Sequence, residues 1–265
     1  MSKEVGYEIN VEDKLGSNET VNILGVDVDK LNMIETVQLV ESYVKTKTPL
    51  HLMGVNADKL NAASKDPFLK KIINSCGIVN ADGISVVYAS KFLKNPLPER
   101  VAGIDLMYEL LEIANEMNYS IYLLGATQEV IEKTVCVLKQ DFRNLNIVGY
   151  RNGYFSDEVW LNISNELLAL NPDMVFVGIT SPTKEYLIEF LQKQGVKSVF
   201  MGVGGSFDVV SGKITRAPIW MQKIGLEWLH RVIKEPKRLF KRYFLGNLKF
   251  ILNIIAFKCK ERQTL

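Results

Sequence analysis

Between about residue 20 and residue 205, short apolar runs rich in β-branched residues alternate with amphipathic segments of about 10 to 15 residues. No other feature of the chain limits its fold so strongly. The extended candidates are VNILGVDV, LHLMGVNA, GIVNAD, SIYLLGA, NIVGY, MVFVGI and SVFMGVG. Between them MIETVQLVESYVK, FLKKIINSC, DLMYELLEIANEM, EVIEKTVCVLKQD and PTKEYLIEFLQKQ repeat apolar residues at intervals of three and four, the spacing of a helix with one buried face. A strand–helix–strand succession lays its strands parallel, because the chain must cross over before the next strand can run in the same direction. The expected fold is therefore α/β: a mainly parallel sheet with helices on both faces.

Sheets of this kind bind ligands beyond the carboxyl ends of their strands, where loops open into helix N-termini. That singles out Asn56 and Asp58, Asn80 and Asp82, Gly125, Gly178, and the run from Gly202 to Gly205. The stretch IVNADGISVV (78–87) is the sharpest case, a buried-looking strand that ends in Asn80 and Asp82 beside Gly83. A carboxylate there either caps the following helix or faces a ligand across the sheet edge. GVGGSFD (202–208) ends another strand, and its glycines either serve a tight turn or present backbone N–H groups to a diphosphate. LLGATQE (123–129) lacks the GxGxxG spacing of a dinucleotide-binding turn.

After Gly205 the pattern changes. PIWMQKIGLEWLHRVIK and PKRLFKRYFLGNLKFILNIIAF read as two helical segments, with Pro218 and Pro236 where a first turn tolerates proline. Residues 213–265 hold 13 Lys and Arg against 3 Glu, a net +10, which leaves −8 for residues 1–212 of a chain whose total is +2. The division expected is a flexible leader over 1–19, an α/β core over 20–212, and a basic amphipathic helical appendage over 213–265. Such a tail suits a phosphate-rich partner, whether an anionic bilayer, a diphosphate or nucleic acid, and no nucleic-acid fold signature accompanies the charge. Its longest near-apolar run, FILNIIAF, has eight residues, far short of the ~20 that span a bilayer. The tail is expected to lie on a membrane without crossing it, and to self-associate when its apolar face is unsheltered. The leader has no apolar stretch of signal-peptide type, and the three cysteines show no CxxC spacing, so free thiols in a reducing compartment are expected. Only two histidines, His51 and His230, argue against a His-based metal site or a Ser-His-Asp triad. DVD at 27–29 matches a metal-binding pattern of sugar-nucleotide transferases, but Asp29 equally suits a helix cap.

VNADG, ERVAGIDL (99–106), YLLGAT, VGYRNGYF (148–155), NPDMVFVGITSPTKE (171–185) and GVGGSFDVVSGKITRAPIWMQKIGLEWLHRVIKEPKRLFKRY (202–243), taken in order, resemble the WecG/TagA/CpsF glycosyltransferases of bacterial surface-polymer synthesis. The resemblance runs from about Val21 to Phe250. It implies a Rossmann-like core with a C-terminal appendage that closes over the active site at the inner face of the cell membrane. It also implies an inverting transfer of an N-acetylhexosamine from a UDP donor to undecaprenyl-diphosphate-linked GlcNAc, without metal or other cofactor. In the teichoic-acid branch the donor is UDP-N-acetylmannosamine. Sibling transferases that use UDP-N-acetylmannosaminuronic acid or UDP-glucose, and a non-catalytic sugar-nucleotide or lipid-binding module, are the alternatives.

By the same resemblance Asp82 matches the candidate base, and Arg231 and Arg238 match appendage arginines that stabilise departing UDP, with Lys241 and Arg242 as further candidates. Asn56 falls near the acceptor pocket, while Gly205 and Asp208 fall where the nucleotide should lie. Asn80, Arg100, Gly125, Lys184, Glu185, Gly204 and Arg216 complete the expected substrate-binding set. Three positions depart from the family pattern: Ala81 replaces the usual proline, Lys184 replaces a glutamine thought to contact substrate, and Gly54 stands where a hydroxyl residue is frequent.

Overall fold

The computed structural model describes residues 18–261 except 235, and all their side chains apart from those at 223, 231, 237–239, 241–243 and 261. The strands are β1 (Thr20–Ile23), β2 (Val26–Asp29), β3 (Leu50–Val55), β4 (Ile78–Ala81), β5 (Ser120–Gly125), β6 (Asn146–Arg151), β7 (Met174–Gly178) and β8 (Val199–Gly202). The core helices are α1 (Met33–Thr46), α2 (Ala57–Ala63), α3 (Pro67–Ser75), α4 (Ile84–Phe92), α5 (Gly103–Met117), α6 (Gln128–Asp141), α7 (Trp160–Leu170), α8 (Thr183–Lys193) and α9 (Ser206–Val210). Three more follow: α10 (Ile219–Lys223), α11 (Glu227–Lys234) and α12 (Pro236–Glu261).

Six strands form one parallel sheet in the order β4-β3-β8-β7-β5-β6, as the β/α alternation requires. Side chains alternate between its faces with the period of two that extended chain imposes. Leu50, Leu52, Ile121, Leu123, Met174 and Phe176 pack with α1, α5 and α6 on one side. On the other, Tyr122, Leu124, Val175 and Val177 pack with α7 and α8, and Met53, Val55 and Val79 with α2 and α3. Both faces are covered, which is why the strands read as nearly continuous apolar runs.

VNILGVDV, expected as one strand, is instead the β1–β2 hairpin. Its two-residue turn, Leu24 (φ 58°) and Gly25 (φ 81°), has the paired positive φ values that fit the twist of a tight hairpin. The apolar alternation Val21, Ile23, Val26, Val28 runs through the turn, and all four side chains are buried, so the sequence looked uninterrupted. The hairpin lies against the edge strand β4, where Asp29 Oδ2 accepts the Val79 N–H at 2.6 Å. An edge N–H that would otherwise invite another chain is thereby occupied. Asp29 is thus buried in hydrogen bonds and Asp27 binds Asn22 Nδ2 at 2.7 Å; α1 is capped by Asn32, not Asp29.

The second half of α12 returns to the core. Phe250 and Ile254 are buried in the same apolar cluster as the hairpin, α2 and α4. Asn61 Nδ2 donates to the Gly246 carbonyl at 2.8 Å, and a Cβ at Gly246 would stand 2.7 Å from an Asp58 carboxylate oxygen, so glycine permits the close approach of α12 to α2.

Candidate active site

The ends of β3 and β4 are joined through Val55, whose carbonyl accepts the N–H groups of Asp82 (2.9 Å) and Gly83 (3.2 Å). A Cβ at Gly83 would lie 2.9 Å from that of Asn56, so only glycine allows this approach. Asn56 itself caps α2, its Oδ1 accepting the Lys59 N–H at 3.0 Å. Gly54 leaves space beneath the aspartate: a Cβ there would come to 3.1 Å from Asp82 Cβ.

Asp82 is half-buried, and its two oxygens differ. Oδ1 accepts the N–H of Gly103, the first residue of α5, at 2.8 Å, while Oδ2 accepts no hydrogen bond among the described residues. Asp82 is therefore a helix cap as well as a strand-end carboxylate, but the helix is α5, not the α4 that follows it; the cap residue of α4, Gly83, contributes no side chain. One oxygen is fixed, and the other remains open among the described residues.

Asn80 is placed lower. It is 1% exposed within β4 and its Oδ1 accepts the Thr36 hydroxyl at 3.3 Å, so it does not join the group around Asp82. Ala81 is buried beside it.

Lys184 and Glu185, in the first turn of α8, meet Lys59 from α2 in a buried charge cluster. Lys59 Nζ stands 2.9 Å and Lys184 Nζ 3.7 Å from Glu185 Oε1. Both contacts are ion pairs without aligned hydrogen bonds to the carboxylate. The Lys184 chain lies across the end of β8, where a Cβ at Gly202 would meet its Cε at 2.7 Å. Burial, with the nearby Lys59 charge, lowers the Lys184 ammonium to about 8 despite the opposing pull of Glu185 and Asp82. Burial alone would raise the Glu185 carboxyl, but the two lysines outweigh it and hold the group down to about 2. His51, behind them in β3, is lowered to about 3 by burial and is neutral. Lys59 was not singled out from sequence; its offset by three from the strand-end Asn56, one helical turn into α2, was the available signal.

A second group of expected residues gathers where β5 runs on to β6 on one side and β7 to β8 on the other, the divergence of connections at which sheets of this kind open a ligand crevice. Gly125 (φ 143°) approaches Gly178 so closely that a Cβ on it would stand 2.5 Å from the Gly178 backbone. The loop after β6 closes over this point, Gly153 N–H donating to the Ala126 carbonyl at 2.8 Å. Next to it Tyr154 is 77% exposed, an aromatic face that sequence reading passed over within VGYRNGYF. Gly204 (φ 53°) has open space around its Cα, and Gly205 precedes the five-residue α9. Asp208 is engaged by Lys213 at 3.0 Å.

Arg100 and Arg216 hold the C-terminal segment. Arg100 Nε donates to the Asp82 carbonyl at 2.7 Å, and its Nη2 pairs with Glu227 of α11. Glu227 Oε1 also accepts from Arg216 Nε at 3.1 Å, while the Arg216 fork grips Asp105 at 2.6 and 2.8 Å. Burial would raise the Glu227 carboxyl, but hydrogen bonds and charge from Arg100 and Arg216 bring it below the usual carboxylate range. Position 231 lies one helical turn beyond Glu227 in α11, and positions 238, 241 and 242 lie in the first turns of α12. The side chains of Arg231, Arg238, Lys241 and Arg242 fall outside the described residues.

Among the described residues no three His, Cys, Asp or Glu side chains are grouped to hold a metal ion, and no helix is long and apolar enough to cross a membrane. Helices α10–α12 and the turn after α10 nevertheless expose Trp220, Ile224, Ile233, Phe240, Phe244, Leu248, Ile251 and Ile255.

The glycosyl transferase WecG/TagA/CpsF family model matches residues 21–264. An N-acetylglucosaminyldiphosphoundecaprenol N-acetyl-beta-D-mannosaminyltransferase of Bacillus subtilis is 34% identical over 238 residues, 89% of this chain and 91% of its own. A protein of the same name from Staphylococcus aureus is 34% identical over 87% of this chain and 89% of its own, and one from Bacillus spizizenii is 36% identical over 66% and 68%. With its parallel sheet, strand-end carboxylate and a family match over residues 21–264, the chain is a member of the WecG/TagA/CpsF glycosyltransferase family.

Proposed function

We propose that this enzyme transfers N-acetylmannosamine from UDP-N-acetylmannosamine to undecaprenyl-diphosphate-linked GlcNAc, with inversion and without a metal, the step that builds the linkage unit of wall teichoic acid. The names of its relatives support the donor and acceptor. The observation that carries the chemistry is the asymmetry of Asp82, tethered through Oδ1 and open at Oδ2.

The acceptor hydroxyl oxygen bonds to the anomeric carbon as the bond from that carbon to the β-phosphate oxygen breaks, and its electron pair leaves with UDP. Asp82 Oδ2 takes the hydroxyl proton, which makes the incoming oxygen a stronger nucleophile in the transition state. Charge that accumulates on the β-phosphate needs preorganised cations or donors. Arg231 and Arg238, with Lys241 and Arg242, are proposed to supply them; a guanidinium fork matches phosphate oxygens. The nucleotide is proposed to occupy the crevice by Gly125, Gly204, Gly205 and Asp208. The exposed apolar residues of α10–α12, interleaved with basic ones, support docking on the anionic inner face of the cell membrane, where the acceptor lipid resides.

One observation favours a second donor. Two ammoniums, on Lys59 and Lys184, share the single carboxylate of Glu185, and Lys184 replaces a neutral glutamine of the family pattern, so a donor sugar that bears a carboxylate would supply a missing counter-charge. A panel of UDP-sugars, assayed with a synthetic lipid-diphosphate GlcNAc in EDTA, separates the readings. Fastest transfer from UDP-N-acetylmannosamine supports the first. Preference for the uronic acid supports the second, and activity that returns only with magnesium or manganese overturns metal independence.

A further inference from the structure

The polar contacts around Asp82 form a closed ring that includes the C-terminal segment. Asp82 Oδ1 takes the Gly103 N–H at the start of α5; Asp105, two residues on, is gripped by Arg216; Arg216 meets Glu227; Glu227 meets Arg100; and Arg100 returns to the Asp82 carbonyl. The main chain reinforces it, Val101 N–H donating to the Ala81 carbonyl at 3.0 Å. Glu227 is the one member from the helices that follow residue 218, and its side chain is only 13% exposed. Both carboxylate oxygens are committed to different arginines, one in the segment before α5 that lies along the end of β4 and the other after α9. A charge bridging two guanidinium groups at low exposure is held in one place more firmly than an exposed pair, and removing it leaves the partly buried Arg100 guanidinium without a carboxylate while Arg216 keeps only Asp105.

We propose that Glu227 is a positioning residue for the transfer reaction: by bridging Arg100 and Arg216 it fixes the Asp82 main chain and seats α11 over the same strand end, so that base and C-terminal helix become competent together. The inference rests on Asp82 serving as base in the reaction proposed above. Glu227 does not touch the reacting atoms; it acts through Arg100. Arg100, expected to bind substrate, takes the role of a strut between α11 and the catalytic strand end. Position 231, one turn along α11, is thereby brought under the control of the same tether.

The test uses the full chain in detergent or on vesicles, with Glu227→Gln, Arg100→Gln, the double variant, and the charge-retaining Glu227→Asp. Displacement of a base by about 1 Å costs on the order of 100-fold, so Glu227→Gln is expected to lower kcat by about 10- to 100-fold with KM for the UDP-sugar changed less than about twofold. The double variant should fall no further than the weaker single one, because the two residues act as a unit, and Glu227→Asp should recover part of the loss. Multiplying effects, or a loss carried by KM alone, overturn the proposal. Hydrogen exchange supplies a readout that needs no turnover. Faster exchange in Glu227→Gln, confined to 82–83, 103–106 and α11, supports the tether whatever the donor; unchanged exchange there overturns it. A wild-type chain inactive with every donor sinks the transfer reading instead.

Discussion

Asp82 and Gly103 are joined by a 2.8 Å hydrogen bond from the Gly103 N–H to Asp82 Oδ1, so a residue at the end of β4 caps a helix that begins 21 positions later. Asn at position 82 can keep that bond through its amide oxygen while losing the ability to take a proton. Asp82→Asn should therefore fold normally and bind UDP with wild-type affinity, yet lose on the order of 10²- to 10⁴-fold in kcat. Calorimetric UDP titration beside a transfer assay checks this; retained turnover would remove Asp82 from the base role.

The buried Lys184 predicts an unusual pH dependence of stability. Its folded pKa of about 8 lies below the ordinary lysine value of 10.5, so between these values the unfolded chain holds a proton that the folded chain has released. Stability then rises with pH across that window, by roughly 3 kcal/mol at most for a shift of this size, and the cost of the buried ammonium is present in full below pH 8. Lys184→Gln should lack this rise. Urea denaturation of both proteins at pH 7 and pH 10 measures it, and parallel behaviour would refute the burial argument.

Gly125 allows neither a side chain nor a different backbone. Its φ of 143° lies outside the range that L side chains adopt, and a Cβ would meet Gly178 at 2.5 Å. Gly125→Ala is expected to cost several kcal/mol, about 2–4 by comparison with other strained or overpacked sites, and to displace the Ala126–Gly178 hydrogen bond at the crevice. Chemical denaturation gives the first quantity. UDP affinity should fall with it, whereas Gly195→Ala, far from the crevice on an open turn, should leave UDP binding unchanged.

The outward row Phe244, Leu248, Ile251 and Ile255 of α12 predicts membrane affinity that depends on apolar contact as well as charge. Phe244→Asp with Leu248→Asp should weaken sedimentation with anionic vesicles by about tenfold or more, since each buried apolar side chain contributes roughly 1.5–3 kcal/mol. Raised salt should weaken the wild type further, through the basic residues. Equal binding of the double variant would assign the attachment to charge alone.

Periodicity alone revealed the α/β class and pointed to the strand ends as the candidate site, because alternating burial and helical spacing are local consequences of backbone geometry. Asp82, Asn56 and Gly125 were visible for that reason, as residues at the ends of readable strands, whereas Lys184 and Glu185 came from the family resemblance. The hairpin was not, since its alternation passes unbroken through Leu24–Gly25 and only the two positive φ values reveal the turn. Tertiary structure decided everything that depends on partners distant in sequence. It gave Asp29 to the edge of β4, sank Asn80 beneath the mouth, and turned Arg100 and Arg216 toward Glu227, 127 and 11 positions away. A charged side chain has no fixed meaning until the fold chooses its counter-charge, and one chain pattern permits many such choices; the free energy of burying those charges selects among them only when the elements have packed.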